Sequence, residues 1–259
     1  DEFTAVGHMI ENSGTVTASG ERGSAIWVEG SDNEIVNTVD GTLEATGVDG
    51  RGIFFATTEG EQNTFENAGT LSASGIAIRG GDGQEVVVNS GTIIGDVNLG
   101  AGRDEFSVVL PNSVIDGMID GGDGLDVFAV VGEAEDATVD LTNVSNFEFL
   151  DIGVTGSVSL GDATAFSSVV ILEGADTTLT NTRFVGAEIN VDETASFTLG
   201  TGSSFVTDDS NSIDLSDNTQ FTNQGTIEAT SFGAAGVFAQ DAINVQIANS
   251  GEISATGLI

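Results

Sequence analysis

Acidic side chains set at repeating intervals are the residues of this 259-residue chain best suited to chemistry. Gly121-Gly122-Asp123-Gly124-Leu125-Asp126-Val127-Phe128 matches the Gly-Gly-x-Gly-x-Asp-x-apolar pattern of calcium-binding nonapeptides. Leu99-Gly100-Ala101-Gly102-Arg103-Asp104-Glu105-Phe106 matches it at all but the first position, and Gly80-Gly81-Asp82-Gly83-Gln84-Glu85-Val86-Val87 matches with Glu for Asp. Glu85, Asp104 and Asp126 lie 19 and 22 residues apart, so stacked turns would set them in a column. Carboxylates and backbone carbonyls are the hard oxygen ligands that Ca2+ takes. Glu85, Asp104, Asp123 and Asp126 are therefore the candidate metal ligands, and Ca2+ the candidate cofactor. A plainer use stays open beside this one. Gly-x-Gly-x-Asp also suits a tight turn between strands. Calcium-binding rolls repeat the nonapeptide back to back, whereas each copy here stands alone, and Arg103 is placed to neutralise a carboxylate.

Other catalytic chemistry finds little to work with. His8 is the single histidine, and there is no cysteine, so thiolate chemistry and disulfides are excluded. No Ser-His-Asp set can be argued from residue types this common. Paired carboxylates such as Asp208 with Asp209, or Asp214 with Asp217, are the enzyme alternative: β-helices also host polysaccharide lyases and glycoside hydrolases, and two acids can cleave a glycosidic bond. One tryptophan and no tyrosine is thin provision for a sugar cleft. Lyases acting on acidic sugars need cations, and a surface of net charge −36 with five arginines would repel such substrates. Arg22 and Arg51 occupy similar turns in neighbouring rungs, where salt bridges to nearby acids account for them at least as well. No residue is assigned a catalytic role, and the expected function is non-enzymatic.

Charge narrows the partners. There are 41 acidic residues against five arginines, with no lysine, for a formal net charge of −36. Nucleic acid needs cations to meet its phosphates, so it is excluded as a partner. The surface attracts divalent cations, or it serves to keep the chain soluble in salty water. No run of 18 apolar residues is present, so direct insertion of this segment into a membrane as a helix is not expected.

The elements that must position these acids come from an internal repeat. Asn12-Ser13-Gly14-Thr15-Val16-Thr17-Ala18-Ser19-Gly20 recurs at Asn67–Gly75 and Asn249–Gly257, with looser copies around Gly41, Gly91 and Gly225. The spacings of the shared glycine are 27, 28 and 22 residues, and 26 near the end. Each repeat holds three pieces of three to five residues, rich in β-branched and aromatic types and bounded by Gly, Asn, Asp and Ser, which is a strand signature. Three short strands per repeat describe one rung of a solenoid, and rungs must stack to bury their inward faces. The predicted fold is all-β, a right-handed parallel β-helix. It is a three-sided β-solenoid of about eleven rungs, running as one domain over residues 1–259. Strand texture persists between Gly91 and Gly225, although the motif fades. The asparagines at 12, 37, 67, 89, 223 and 249 are expected at corners, each bonding its copy one rung away. Trp27, Phe54, Phe55, Phe128, Phe147, Phe197 and Phe238 fall in strands and are expected in the core.

The Asn-x-Gly-Thr-Ile/Val rungs, the stretch Gly91–Phe106 and the segment Leu141-Thr142-Asn143-Val144-Ser145-Asn146-Phe147-Glu148-Phe149-Leu150-Asp151-Ile152 resemble the passenger domains of autotransporter (type V secreted) proteins, most closely alphaproteobacterial ones. The Gly-x-Gly-x-Asp turns are RTX-like but isolated. The resemblance covers most of the chain at the level of its repeat, and it implies export to the outer cell surface of a Gram-negative bacterium. Such passengers cross the outer membrane through a C-terminal β-barrel and serve as adhesins, self-association factors, toxins or proteases. The expected role is a rod-like structural or adhesive module whose partners are other cell-surface molecules or copies of itself. The chain has no barrel of long alternating membrane strands, and it stops within a rung, so a fragment or processed piece of a longer surface protein is expected.

Overall fold

Strict alternation inside very short strands decides the architecture. In Asn33–Asn37, Thr42–Ala45, Ser168–Ile171, Glu188–Val191 and Ser196–Leu199, every second side chain is buried. A strand of four to six residues buries only two or three side chains, too few to stand alone, so each depends on copies above and below. The computed structural model describes residues 7–207, 212–230 and 235–256. Among them there is no helix, and parallel strands stack as coils of a β-solenoid of about eleven turns. No helix of the described residues is long and apolar enough to cross a membrane. The coils fall into two compact units, residues 1–128 with 143–147, and residues 129–142 with 148–259.

In the first unit each coil contributes to three parallel ladders. One joins Met9–Asn12, Asn33–Asn37, Gln62–Asn67, Gln84–Asn89 and Glu105–Leu110. The second joins Thr15–Ala18 and Thr42–Ala45 to the first halves of Thr70–Arg79 and Thr92–Asn98, then Val114–Asp116. The third joins Ser24–Glu29 and Arg51–Ala56 to the second halves of those two long strands, then Ile119–Asp120 and Val144–Ser145. Each ladder sends one apolar row inward: Ile35, Phe65, Val87 and Phe106; Leu43, Leu71 and Ile93; Ile53, Ile78, Val97 and Ile119. Phe106 stacks on Phe128 with centroids 6.0 Å apart, and Phe128 meets Phe147 edge-on at 5.5 Å.

The expected asparagine ladder is present. Asn12 Nδ2 donates to Asn37 Oδ1 at 2.9 Å, Asn37 to Asn67 at 2.8 Å, and Asn67 to Asn89 at 2.8 Å. Beside it the glycines at 14, 41, 69 and 91 stack: the Thr42, Thr70 and Thr92 N–H groups donate to the Gly14, Gly41 and Gly69 carbonyls. A Cβ on Gly69 would lie 2.2 Å from the Gly41 carbonyl oxygen, and one on Gly91 2.3 Å from that of Gly69. Close stacking, not local backbone conformation, demands glycine there.

The second unit repeats the plan. Its inward rows include Leu150, Val169, Ile189 and Ile213, and Phe184, Phe205 and Ile227. The motif fades here for a visible reason. The ladder position of Asn223 is taken one coil earlier by Leu199, and before that by Leu179. An apolar stack replaces the amide stack until Asn223 donates to Asn249 at 2.8 Å.

Three of the aromatic residues expected in the core are not there. Trp27 is 56 % and Phe238 43 % exposed, and Phe54 is half-buried. Each occupies an outward position next to an inward one: Ile26 and Val28 flank Trp27, Phe55 follows Phe54, and Phe238 follows Val237, the register partner of buried Ile213. Phe55, Phe128, Phe147 and Phe197 are buried as expected.

If the amide ladder holds the coils, its interior and its exposed end should differ. Asn67→Ala strands the side-chain carbonyl of Asn89 and removes one of the three acceptors of the buried Asn37 amide, at a cost of about 1–3 kcal/mol. Asn249 is exposed, so Asn249→Ala should cost less than about 1 kcal/mol. Denaturant titration of both variants measures this, and equal losses would remove the ladder from the account.

Candidate functional site

Asn33, Asn63, Asp104 and Asp126 share a single structural task, and Glu85, which accepts from the Thr57 hydroxyl, stands in line with them. Asn33, Asn63, Glu85 and Asp104 sit at or just before successive strands of the first ladder of unit one, with Asn33 paired to Asn63 and Asn63 to Glu85. Asp126 precedes Val127, whose N–H donates to the Asp104 carbonyl at 2.9 Å. All five are buried, none more than 4 % exposed. The Asn33 N–H donates to Asn63 Oδ1 at 2.9 Å, the Glu85 N–H to Asp104 Oδ1 at 2.7 Å, and the Asp104 N–H to Asp126 Oδ1 at 2.7 Å. A side-chain oxygen of one coil thus caps a backbone N–H of the coil before it. Without such a partner a buried N–H costs about 1–3 kcal/mol.

The glycines shape the turns that lead into the column. Gly100, Gly102, Gly122 and Gly124 have φ of +99°, +150°, +101° and +157°. A Cβ on Gly122 or Gly124 would lie 1.9 Å from the carbonyl oxygen of Gly100 or Gly102 in the coil before. Both backbone conformation and stacking require glycine, so the Gly-x-Gly-x-Asp spacing encodes a stacked turn ending in a buried cap.

The structure brings together Glu85, Asp104 and Asp126, as their spacing predicts, and leaves Asp123 apart, exposed on the outside of its turn. Arg103 is exposed and forms no ion pair among the described residues. No group of three or more acidic or histidine side chains among the described residues is arranged to hold a metal ion. Of the paired acids considered for glycoside chemistry, Asp208 and Asp209 lie outside the described residues. Asp214 accepts a hydrogen bond from Ser212 Oγ, and Asp217 Oδ1 accepts the Ile243 N–H at 2.8 Å. His8 is exposed, its N–H bonded to Asn33 Oδ1 at 3.1 Å.

The column changes chemically along its length. Asn33 and Asn63 are neutral amides, and Asn33 Nδ2 also donates to Asn63 Oδ1 at 2.9 Å. Glu85 and Asp104 are acids in the same dry setting, and Glu85 Oε2 and Asp104 Oδ2 have no hydrogen-bond partner. Burial pushes the Glu85 carboxyl up to about 8, against the hydrogen bond from Thr57 and reinforced by the neighbouring Asp104. Burial likewise pushes Asp104 up to about 7, opposed by the Glu85 N–H and reinforced by Asp126. At neutral pH the column therefore holds protons that the unfolded chain would release.

A second cluster lies on the outward side of the third ladder, and it was not foreseen. Trp27, Phe54 and Arg79 are register neighbours on consecutive coils. The Trp27 and Phe54 rings meet edge-on, centroids 4.8 Å apart. Arg51 Cζ lies 4.9 Å and Arg79 Cζ 5.6 Å from the Phe54 centroid. Arg22 contacts Asp49 at 4.0 Å, as a salt bridge was expected to explain it. Arg51 departs from that expectation: it forms no ion pair among the described residues and packs on Phe54 instead. The signal in the sequence was the flanking of Trp27 by Ile26 and Val28, which assigns the indole to the outside.

Linkage fixes the direction of the pH response. An acid whose folded value is raised binds more protons folded than unfolded, so stability falls as pH rises from the unfolded value to the folded one. For Glu85 that window runs from 4.5 to about 8, and for Asp104 from 3.8 to about 7. Glu85→Gln with Asp104→Asn supplies the amides that Asn33 and Asn63 already use. The double variant should melt higher than the parent at pH 8, by at least about 2–4 °C, and lose much of the slope between pH 5 and 8. Thermal melts across that range check it, and a slope unchanged in the double variant would count against a protonated column.

No family model, curated protein or solved structure matches this chain.

Proposed function

We propose that this chain is an extracellular structural and adhesive module of the autotransporter-passenger type, carried on the outer surface of a Gram-negative cell, and that it performs no catalysis. One observation carries this: the residues with chemical potential are occupied in holding coils together. The buried asparagines form a ladder, Asp104 and Asp126 cap backbone N–H groups, Asp214 accepts a local hydrogen bond from Ser212, and Asp217 accepts the Ile243 N–H from the following coil. The partners are other cell-surface molecules or further copies of the chain. Cells displaying it should adhere or aggregate more than cells displaying an unrelated solenoid, and the purified chain should release neither reducing ends nor unsaturated uronates from polysaccharides. Product formation that disappears when Asp214 or Asp217 is neutralised would replace this proposal with a glycan-cleaving enzyme.

A second proposal concerns calcium, and the partnerless Glu85 Oε2 and Asp104 Oδ2 favour it. A cation taken up there would displace the protons, so its effect should grow with pH. At fixed high NaCl, where screening is saturated, a hundredfold excess of Ca2+ over its dissociation constant should stabilise the parent by about 2.7 kcal/mol. Asp104→Asn should gain far less. A melting temperature indifferent to Ca2+ at pH 8 would leave the column to its protons alone.

A further inference from the structure

The outward face of the third ladder is chemically unlike the rest of the chain. Acids outnumber arginines 41 to five, yet Arg51 and Arg79 both pack on Phe54 and form no ion pair among the described residues. A guanidinium held against a ring still presents N–H donors, and its planar fork matches a carboxylate in a way that a solvated lysine does not. Arg51 and Arg79 line an open depression of about 360 Å³ together with Gly75, Ile76 and the Arg22–Asp49 ion pair, which leaves Asp49 engaged by Arg22. On the other side of Phe54 stands Trp27, whose Nε1 donates to Glu29 Oε1 at 3.0 Å while the residue stays 56 % exposed.

These groups are laid out in a row. Coils follow one another at about 4.8 Å, so Trp27, Phe54 and Arg79, on three consecutive coils, span about 10 Å along the ladder. The row offers the Trp27 ring on the first coil, Phe54 with Arg51 beside it on the second, and the Arg79 guanidinium on the third. Burying such aromatic surface is favourable only for a ligand with an apolar face of its own. An anion without an apolar face would use the arginines and leave Trp27 idle, and a neutral sugar would do the reverse.

We propose that Trp27, Phe54, Arg51 and Arg79 form a binding site for a carboxylate-bearing saccharide, a short run of uronate-type sugars. The C–H face of one pyranose covers the Trp27 ring, and the carboxylate of a neighbouring sugar meets the Arg51 and Arg79 guanidiniums above the depression. This rests on the adhesive proposal above and gives it a ligand class. The net charge of −36 opposes the approach of an anion at long range. At about 0.15 M salt the Debye length is about 8 Å, so the local arginines decide the outcome.

The test uses the whole chain and a galacturonate oligomer in calorimetry at physiological salt. The expected result is saturable binding, lost when the oligomer is methyl-esterified. Arg51→Gln, Arg79→Gln and Trp27→Ala should each weaken it about tenfold or more, as expected for about 1.4 kcal/mol per contact. These side chains are at least partly exposed, so the variants should keep the parental melting temperature. Arg183→Gln, an exposed arginine paired with Asp162 in the other unit, should bind like the parent. No saturable binding, or equal binding of the methyl ester, would overturn the site. Binding of poly-glutamate as tight as that of the oligomer, and indifferent to Trp27→Ala, would overturn the saccharide and give the face to an acidic protein segment. A loss as large in Arg183→Gln would reduce it to diffuse ion exchange. Cleavage of the bound oligomer would sink the non-catalytic proposal and leave the site standing. Adhesion that survives all three patch variants would do the opposite.

Discussion

In a parallel stack each side chain faces its own counterpart one coil away, and this constraint governs nearly every choice in the chain. Apolar residues satisfy it without effort, as in the rows Ile35, Phe65, Val87 and Leu43, Leu71, Ile93. A buried polar residue satisfies it only if it can donate on one side and accept on the other. An amide does both, which is why asparagine continues through four coils at 2.8–2.9 Å while, among the described residues, no other polar type runs so far inside. Glycine at 41, 69 and 91 beside the ladder follows from the same closeness, since a Cβ there would strike a carbonyl of the coil before.

Carboxyls obey the constraint less easily. A carboxylate accepts and cannot donate, so its column needs backbone N–H groups for one oxygen and leaves the other bare. Asp104 has this arrangement, and at Glu85 the Thr57 hydroxyl donates to one oxygen instead, so burial raises both carboxyls toward or above neutrality. The acids left on the surface avoid the problem by facing water. Inside, a proton or a cation must make up the missing positive charge, or an amide must replace the acid, as at Asn33 and Asn63.

What could be read in the sequence follows the same division. The rung period, the asparagine ladder and the column at 85, 104 and 126 were all legible, because inter-coil contacts recur at the repeat spacing. The middle of the second unit was harder, because Leu179 and Leu199 stand where asparagine would have marked the corner. Trp27, Phe54 and Phe238 were misplaced by treating aromatic character as a sign of burial. Alternation, not hydrophobicity, decides the side of a strand in a coil this thin. Arg51 was assigned to an acid because acids are abundant, but its position on Phe54 is a matter of register that charge counting does not contain.

The stacking constraint also bears on where a solenoid can acquire function. Its interior is taken up by like-on-like rows, and a catalytic group placed there would have to satisfy its copies as well as its substrate. Outward positions are relieved of that demand, yet they inherit the same register, so residues on successive coils form a row spaced one coil apart. A few substitutions at a single outward position in neighbouring repeats are then enough to build a linear surface. Trp27, Phe54 and Arg79 are such a set, with Arg51 brought in from three residues before Phe54. Recognition built this way needs no cleft and leaves the core unchanged, and it suits an extended, repetitive ligand better than a small compact one.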